Sequence, residues 1–151
     1  MTVLEHIGIA KNQLVNAGLP PDTAAIDAEV LARHVLGWDT TKYLSDRKNV
    51  APSVFSSQYS TVLERRTRRE PVALIIGRRE FWGMEFEVNP SVLTPRPETE
   101  LLVEETLKLV VDRDTQPFHL VDIGAGSGCL SVALASELPT IQITATDISH
   151  E

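Results

Sequence analysis

Asp122, Gly124, Gly126 and Gly128 stand at alternate positions in the stretch Phe118-His119-Leu120-Val121-Asp122-Ile123-Gly124-Ala125-Gly126-Ser127-Gly128-Cys129-Leu130. Glycines on that beat let a backbone approach a ligand where a Cβ would clash. A second acid, Asp147, closes the run Ile141-x-Ile143-x-Ala145. A carboxylate in that place can accept hydrogen bonds from both hydroxyls of a ribose. In the dinucleotide fingerprint Gly-x-Gly-x-x-Gly the third glycine would fall on Cys129; here it comes one position early, on Gly128, which disfavours NAD. A glycine-rich turn alone is a weak signal. Strand, Asp122, three alternating glycines, helix and Asp147, in that order, point to S-adenosylmethionine.

A second segment of interest is Pro95-Arg96-Pro97-Glu98-Thr99-Glu100. Pro97 has its φ preset for a first helical turn, and Glu98 and Glu100 suit the positive end of a helix dipole. Two prolines around one arginine are more than a helix start requires, so a tight entry turn and a functional wall both stay open. Cys129 sits just inside the helix after the glycines. There the dipole could lower a thiol pKa, or the side chain could simply pack. The four histidines His6, His34, His119 and His150 show no metal-ligand spacing, and one cysteine excludes a Cys-rich zinc site, so no metal is expected. His119 reads as a structural strand residue.

These residues must be held by elements legible in the pattern around them. The apolar run ending at Ile123 has strand length, Leu130, Ala133 and Leu134 recur at helical spacing, and Ile141, Ile143 and Ala145 alternate. That is a β-α-β unit, with parallel strands and a right-handed crossover expected. Further upstream, Pro71 stops a helix and Leu74-Ile75-Ile76-Gly77 is a short apolar strand candidate. Phe81 and Trp82 precede Gly83, after which Met84, Phe86 and Val88 alternate with Glu85 and Glu87, which predicts a β-hairpin with Trp82 and Phe86 as packing residues.

The first half predicts four short helices. Thr2 and Glu5 fit a capping box ahead of Val3, Ile7, Ala10, Leu14 and Ala17, with Gly18 suited to end the helix. Pro20-Pro21-Asp22 opens the next, with Ala24, Ala28, Leu31 and Val35 as its buried stripe and Gly37 at its end. A short helix over 40–46 is entered through Asp39, and a fourth follows Ser53, with Phe55, Tyr59, Val62 and Leu63 on one face. It ends in Glu64-Arg65-Arg66-Thr67-Arg68-Arg69-Glu70, which is either a basic patch for RNA or an acidic protein surface, or a solvated helix end complementing the dipole.

Composition sets the outer limits. The 151 residues are 42% hydrophobic and 23% charged, enough to bury a core, with a net charge of −7 that argues against a general nucleic-acid binder. Residues 1–75 carry 9 basic and 8 acidic side chains and residues 76–151 carry 5 and 13, so the two halves are differently equipped. No stretch is long and apolar enough for a membrane span, and Glu5, His6 and Lys11 interrupt the N-terminal apolar run, so a cytoplasmic protein is expected. The organisation expected is an α/β chain: a helical domain over 1–75, a hairpin linker over 76–95, and over 96–151 the opening β-α-β of a Rossmann-like domain.

In order, Arg69-Glu70-Pro71, Ile75-x-Gly77, Glu80-Phe81-x-Gly83, Leu93-Thr94-Pro95-Arg96-Pro97-Glu98-Thr99-Glu100, the Asp122–Gly128 loop and Asp147-Ile148-Ser149 resemble the peptide chain release factor N5-glutamine methyltransferase family. Many methyltransferases share the glycine loop; the Pro-Arg-Pro-Glu-Thr-Glu segment is far more specific. The resemblance implies an S-adenosyl-L-methionine-dependent enzyme. Its helical domain helps recognise a class 1 release factor, and its Rossmann-like domain methylates the glutamine side-chain nitrogen of the factor's Gly-Gly-Gln motif. It places Gly124, Ala125, Gly126, Ser127 and Gly128 along the cofactor, Asp147 on the ribose, and Arg96, Glu98 and Thr99 along the active-site wall. Leu74 departs from the aromatic residue usual at its position, a packing change.

The family's catalytic signature, Asn-Pro-Pro-Tyr, lies beyond the fourth strand, and this sequence reaches Glu151 without it. The catalytic residues are therefore expected beyond Glu151. An amide nitrogen is a weak nucleophile, and positioning it can supply about 7–11 kcal/mol of a barrier. The expectation is an N-terminal fragment, inactive alone. Three other readings stand beside it: a methyltransferase acting on a ribosomal-protein glutamine, a non-catalytic module docking on a release factor or ribosome, and a general nucleotide-binding Rossmann protein.

Overall fold

A computed structural model describes residues 1–111 and 119–149, and the chain divides into two compact units, Met1–Ile76 and Gly77–Glu151. Phe118, expected to open the first strand of the β-α-β unit, and His150 lie outside the described residues.

The first unit is helical: α1 (Val3–Asn16), α2 (Pro21–Leu36), α3 (Thr40–Asp46), α4 (Phe55–Thr67) and α5 (Val72–Ile76). The capping box forms as its residues predict. Thr2 Oγ1 accepts the Glu5 N–H at 3.2 Å and Glu5 Oε2 accepts the Thr2 N–H at 2.8 Å. Pro21 opens α2 at its first turn and Gly37, at φ 63°, ends it in the left-handed conformation. The Asp39 carboxylate accepts the Lys42 N–H at 2.7 Å and starts α3. Val3, Ile7, Ala10 and Leu14 of α1 pack with Ala24, Ala28 and Leu31 of α2 and with Phe55, Tyr59 and Leu63 of α4. Val35 and Val62 are only partly buried against that core. Phe55 stacks on Tyr59 with centroids 4.9 Å apart. The Tyr59 hydroxyl donates to the Ala28 carbonyl at 2.7 Å, and burial pushes its phenol pKa up.

One expectation changes here and another gains detail. Leu74-Ile75-Ile76-Gly77 is not a strand: Val72–Ile76 is the helix α5. A lone strand would leave its backbone groups without partners, whereas the Pro71 carbonyl accepts the Leu74 and Ile75 N–H groups at 3.0 and 3.1 Å, and Arg65 donates to the carbonyls of Leu74 and Ile75 at 3.3 Å each. Ala73 and Ile75 thereby turn inward, where α5 packs on α2 and α4. The arginine run at the end of α4 is in large part engaged within its own unit, with Arg68 left in solvent. Arg65 Nε donates to Glu70 Oε2 at 2.8 Å, and Arg66 Nε to Asp27 Oδ2 of α2 at 2.7 Å. Arg68 pairs with Glu64, and Arg69 Nη2 donates to the Ala17 carbonyl at 3.0 Å. Arg65, Arg66 and Arg69 join the end of α4 to the rest of its own unit, whereas Arg68 pairs within the helix.

The second unit begins with an antiparallel hairpin, β1 (Arg78–Phe81) and β2 (Met84–Glu87), in the register Phe81↔Met84. Its two-residue turn places Trp82 at φ 52° and Gly83 at φ 68°, both left-handed as a type I′ turn requires. Phe81 and Phe86 meet edge to face and are buried with Val103, Cys129, Ala133 and Leu134, so the hairpin shares the core of this unit. A 3₁₀ turn over Pro97–Thr99 leads into α6 (Glu100–Val111). Then β3 (His119–Ile123), α7 (Cys129–Glu137) and β4 (Gln142–Thr146) follow, with β3 and β4 paired in parallel in the register Ile123↔Thr146. Burial of Cys129 selects the packing reading for that side chain.

Candidate functional site

The glycine loop leaves the C-terminal end of β3, where ligands of open parallel sheets bind. Its path is set by main-chain hydrogen bonds. Gly124 and Ala125 N–H both donate to the Thr146 carbonyl at the end of β4, at 2.7 and 3.0 Å, and Gly128 N–H donates back to the Ala125 carbonyl at 2.9 Å. Such a tight path needs Gly124, Gly126 and Gly128 at φ 80°, 55° and 72°. An L-residue with a side chain pays roughly 1–2 kcal/mol for that conformation. A Cβ built on any of the three would meet nothing within 4 Å, so the protein leaves that side of the loop open. Gly128 caps α7, and its carbonyl accepts the Val132 N–H at 2.9 Å.

Asp147 follows β4 and reaches the loop directly. Its Oδ2 accepts the Gly126 N–H at 2.7 Å and its Oδ1 accepts the Ser149 N–H at 2.9 Å. The Ser149 N–H first, then those of Gly126 and Ile148, hold its carboxyl below the usual aspartate range. It is a carboxylate at neutral pH, and with about four lone-pair sites it keeps acceptor capacity for a ligand. Ser127 Oγ is buried with no hydrogen-bond partner among the described residues. An orphaned hydroxyl beside an open loop fits a site that a polar ligand completes.

Asp122 has a different place. Its Oδ2 accepts from Ser131 Oγ, on the first turn of α7, at 2.6 Å, and its carbonyl accepts from Thr146 Oγ1 at 3.3 Å. The sequence reading missed both donors. Ser131 had one signal, a hydroxyl within the apolar stretch Cys129–Ala135.

Arg96, Glu98 and Thr99 lie on the 3₁₀ turn and its cap; Arg96 and Glu98 are exposed and Thr99 is half-buried. No hydrogen bond among the described residues joins the three to the glycine loop. The next residue, Glu100, was not a site candidate, yet its Oε1 accepts the Trp82 N–H at 2.9 Å, while the Trp82 indole Nε1 donates to Glu137 Oε1 of α7 at 2.8 Å. His119 shares a 2.8 Å hydrogen bond with Thr144 Oγ1 across the strand pair. Among the described residues no three His, Cys, Asp or Glu side chains gather as a metal site, and no helix is long and apolar enough to cross a membrane.

Comparison with known proteins adds an independent line. Residues 7–77 match the family described as PrmC N-terminal domain. A protein of Burkholderia pseudomallei named release factor glutamine methyltransferase is 41% identical over 125 residues, which are 83% of this chain and 43% of the relative. Proteins of the same name from Vibrio cholerae and Caulobacter vibrioides are 38% and 36% identical over all 151 residues, each match covering 51% of the relative. The chain spans about half the length of these curated relatives.

Proposed function

We propose that this chain, a protein glutamine methyltransferase by its resemblance to the release factor glutamine methyltransferases, supplies the cofactor loop of such an enzyme. In this reading β3, α7 and β4 are the opening of a Rossmann-like sheet, and the ligand of the loop is S-adenosyl-L-methionine. The observation that carries the cofactor assignment is the clip between Asp147 Oδ2 and the Gly126 N–H, set among three left-handed glycines with open space beside them. That arrangement places a carboxylate next to exposed main chain, as a ribose and its nucleoside require.

Gly124, Ala125, Gly126, Ser127 and Gly128 would line the cofactor, with the Ser127 hydroxyl gaining the partner it lacks. Asp147 would accept from the ribose hydroxyls with the lone pairs its backbone donors leave over. Arg96, Glu98 and Thr99 would lie along the wall that a substrate approaches. When bound, the cofactor supplies an electrophilic methyl group on a sulfonium sulfur. The residues described here bind and orient it.

The substrate in this reading is the glutamine amide of the Gly-Gly-Gln motif in class 1 release factors, met in the cytoplasm, with the helical unit contributing to recognition. Support comes from the names of the relatives and from the Pro95–Glu100 segment. The 151 residues contain no Asn-Pro-Pro-Tyr. In this reading the task of holding the amide N–H groups and aiming the nitrogen falls to that signature, and these residues by themselves bind cofactor without turnover. No observation favours the docking-module reading, because the arginines that motivated it are engaged within their own unit.

Calorimetry on the 151-residue chain tests the assignment. S-adenosylmethionine is expected to bind, and Asp147→Ala to weaken it by about tenfold or more. A preference for NAD overturns the cofactor assignment. Transfer of labelled methyl to a release factor by this chain alone overturns the proposed inactivity.

A further inference from the structure

The glycine loop has little to hold it in its own atoms. Three of its five residues are glycines in left-handed conformations, and the space beside them is open. Its shape depends on what grips its ends. One grip is the Thr146 carbonyl, another is Asp147, and the third lies beneath the loop at Asp122. Asp122 is the penultimate residue of β3, and Ser131 is the third residue of α7. The 2.6 Å hydrogen bond between them spans the loop from the strand before it to the helix after it, closing a ring around residues 123–130. Thr146 Oγ1 adds β4 to the same carboxylate-bearing residue through the Asp122 carbonyl.

Ser131 is buried on a helix whose other inward residues are Cys129, Ala133 and Leu134. Packing there asks only for a small apolar side chain. The hydroxyl answers a half-buried carboxylate that would otherwise lose this donor. We propose that Ser131 is a positioning residue, which fixes the conformation of the Gly124–Gly128 loop through Asp122. The effect on S-adenosylmethionine affinity rests on the cofactor assignment above; the effect on the loop does not.

The test is amide hydrogen exchange by NMR on the 151-residue chain, as wild type, Ser131→Ala and Ser131→Thr, paired with S-adenosylmethionine calorimetry on each. Ser131→Ala is expected to speed exchange at the Gly124, Ala125, Gly126 and Gly128 amides by about tenfold, the loss of one charge-assisted hydrogen bond. Ser131→Thr, which keeps the hydroxyl, is expected to restore the wild-type rates, and affinity is expected to fall and recover in parallel. Unchanged loop exchange in Ser131→Ala overturns the proposal. So does a rise spread evenly over α7 and β4, which would mark the bond as a general stabiliser of the unit. If wild type binds no S-adenosylmethionine, the cofactor assignment falls, and the exchange rates still decide the role of Ser131.

Discussion

Asp147 joins the loop to the end of β4 as a charged group, so its contribution depends on pH in a direction that can be worked out. Three backbone N–H groups favour the carboxylate in the folded protein, so its pKa is lower folded than unfolded. Such a group contributes its stability fully above the ordinary aspartate range and loses it as pH falls through the depressed value. Wild type is therefore expected to lose stability of the second unit, in excess of Asp147→Asn, as pH falls through and below the ordinary aspartate range. Unfolding midpoints followed by circular dichroism across that range check this, and parallel curves would contradict it. Gly126→Ala isolates the backbone: its Cβ meets nothing, so the expected cost is the left-handed strain alone, about 1–2 kcal/mol, read by thermal unfolding. At this scale the sequence was legible where chemistry is local. Alternating glycines and an acid at a strand end announce themselves by spacing. The Ser131, Thr146 and Glu100 bonds join residues 9, 24 and 18 positions from their partners, and only strand register and helix phase bring them together.

Elements differ in how plainly their own residues specify them. The capping box of α1, the Asp39 entry to α3 and the hairpin about Gly83 follow from local rules, and each formed where those rules put it. α5 shows the opposite case. Leu74-Ile75-Ile76 has strand-like side chains, yet tertiary packing on α2 and α4 and the reach of Arg65 make the stretch helical. Nor does the charge run after α4 show from its composition which arginine matters. Arg66 and Asp27 have side chains only 15% and 13% exposed and tie α4 to α2, whereas Arg68 and Glu64 stand in solvent on one helix. Removing one partner of a largely buried pair strands the other, so Arg66→Ala is expected to cost about 2–3 kcal/mol. Arg68→Ala is expected to cost no more than about 0.5 kcal/mol. Urea unfolding of the two variants compares them directly, and equal effects would contradict the distinction.

The two units bury their apolar surface to very different degrees. In the first, all five helices contribute to one core, from Val3 through Leu31 and Phe55 to Ile75. In the second, buried residues are fewer among the described residues, and one row of β3 faces outward: Val121 is exposed, and Ile123 is 84% exposed. Leu101 and Leu109 of α6 and Ile148 after β4 are exposed as well. The apolar run of β3 reads as a parallel strand covered on both faces, and the described residues cover only the row of Leu120 and Asp122. The sequence thus announces an element suited to burial without saying whether its surroundings supply the cover. Burial of apolar area is the main favourable term in folding, at about 25 cal/mol per Å², so the unit that buries more should open last. Native-state hydrogen exchange in low urea is expected to show the α1, α2 and α4 amides protected longest and those of β3, β4 and α7 exchanging first. The outward row of β3 is further expected to bind a hydrophobic dye before the first unit unfolds. A single cooperative transition with equal protection in both units would contradict this, because it would require the open face of the second unit to cost the protein nothing.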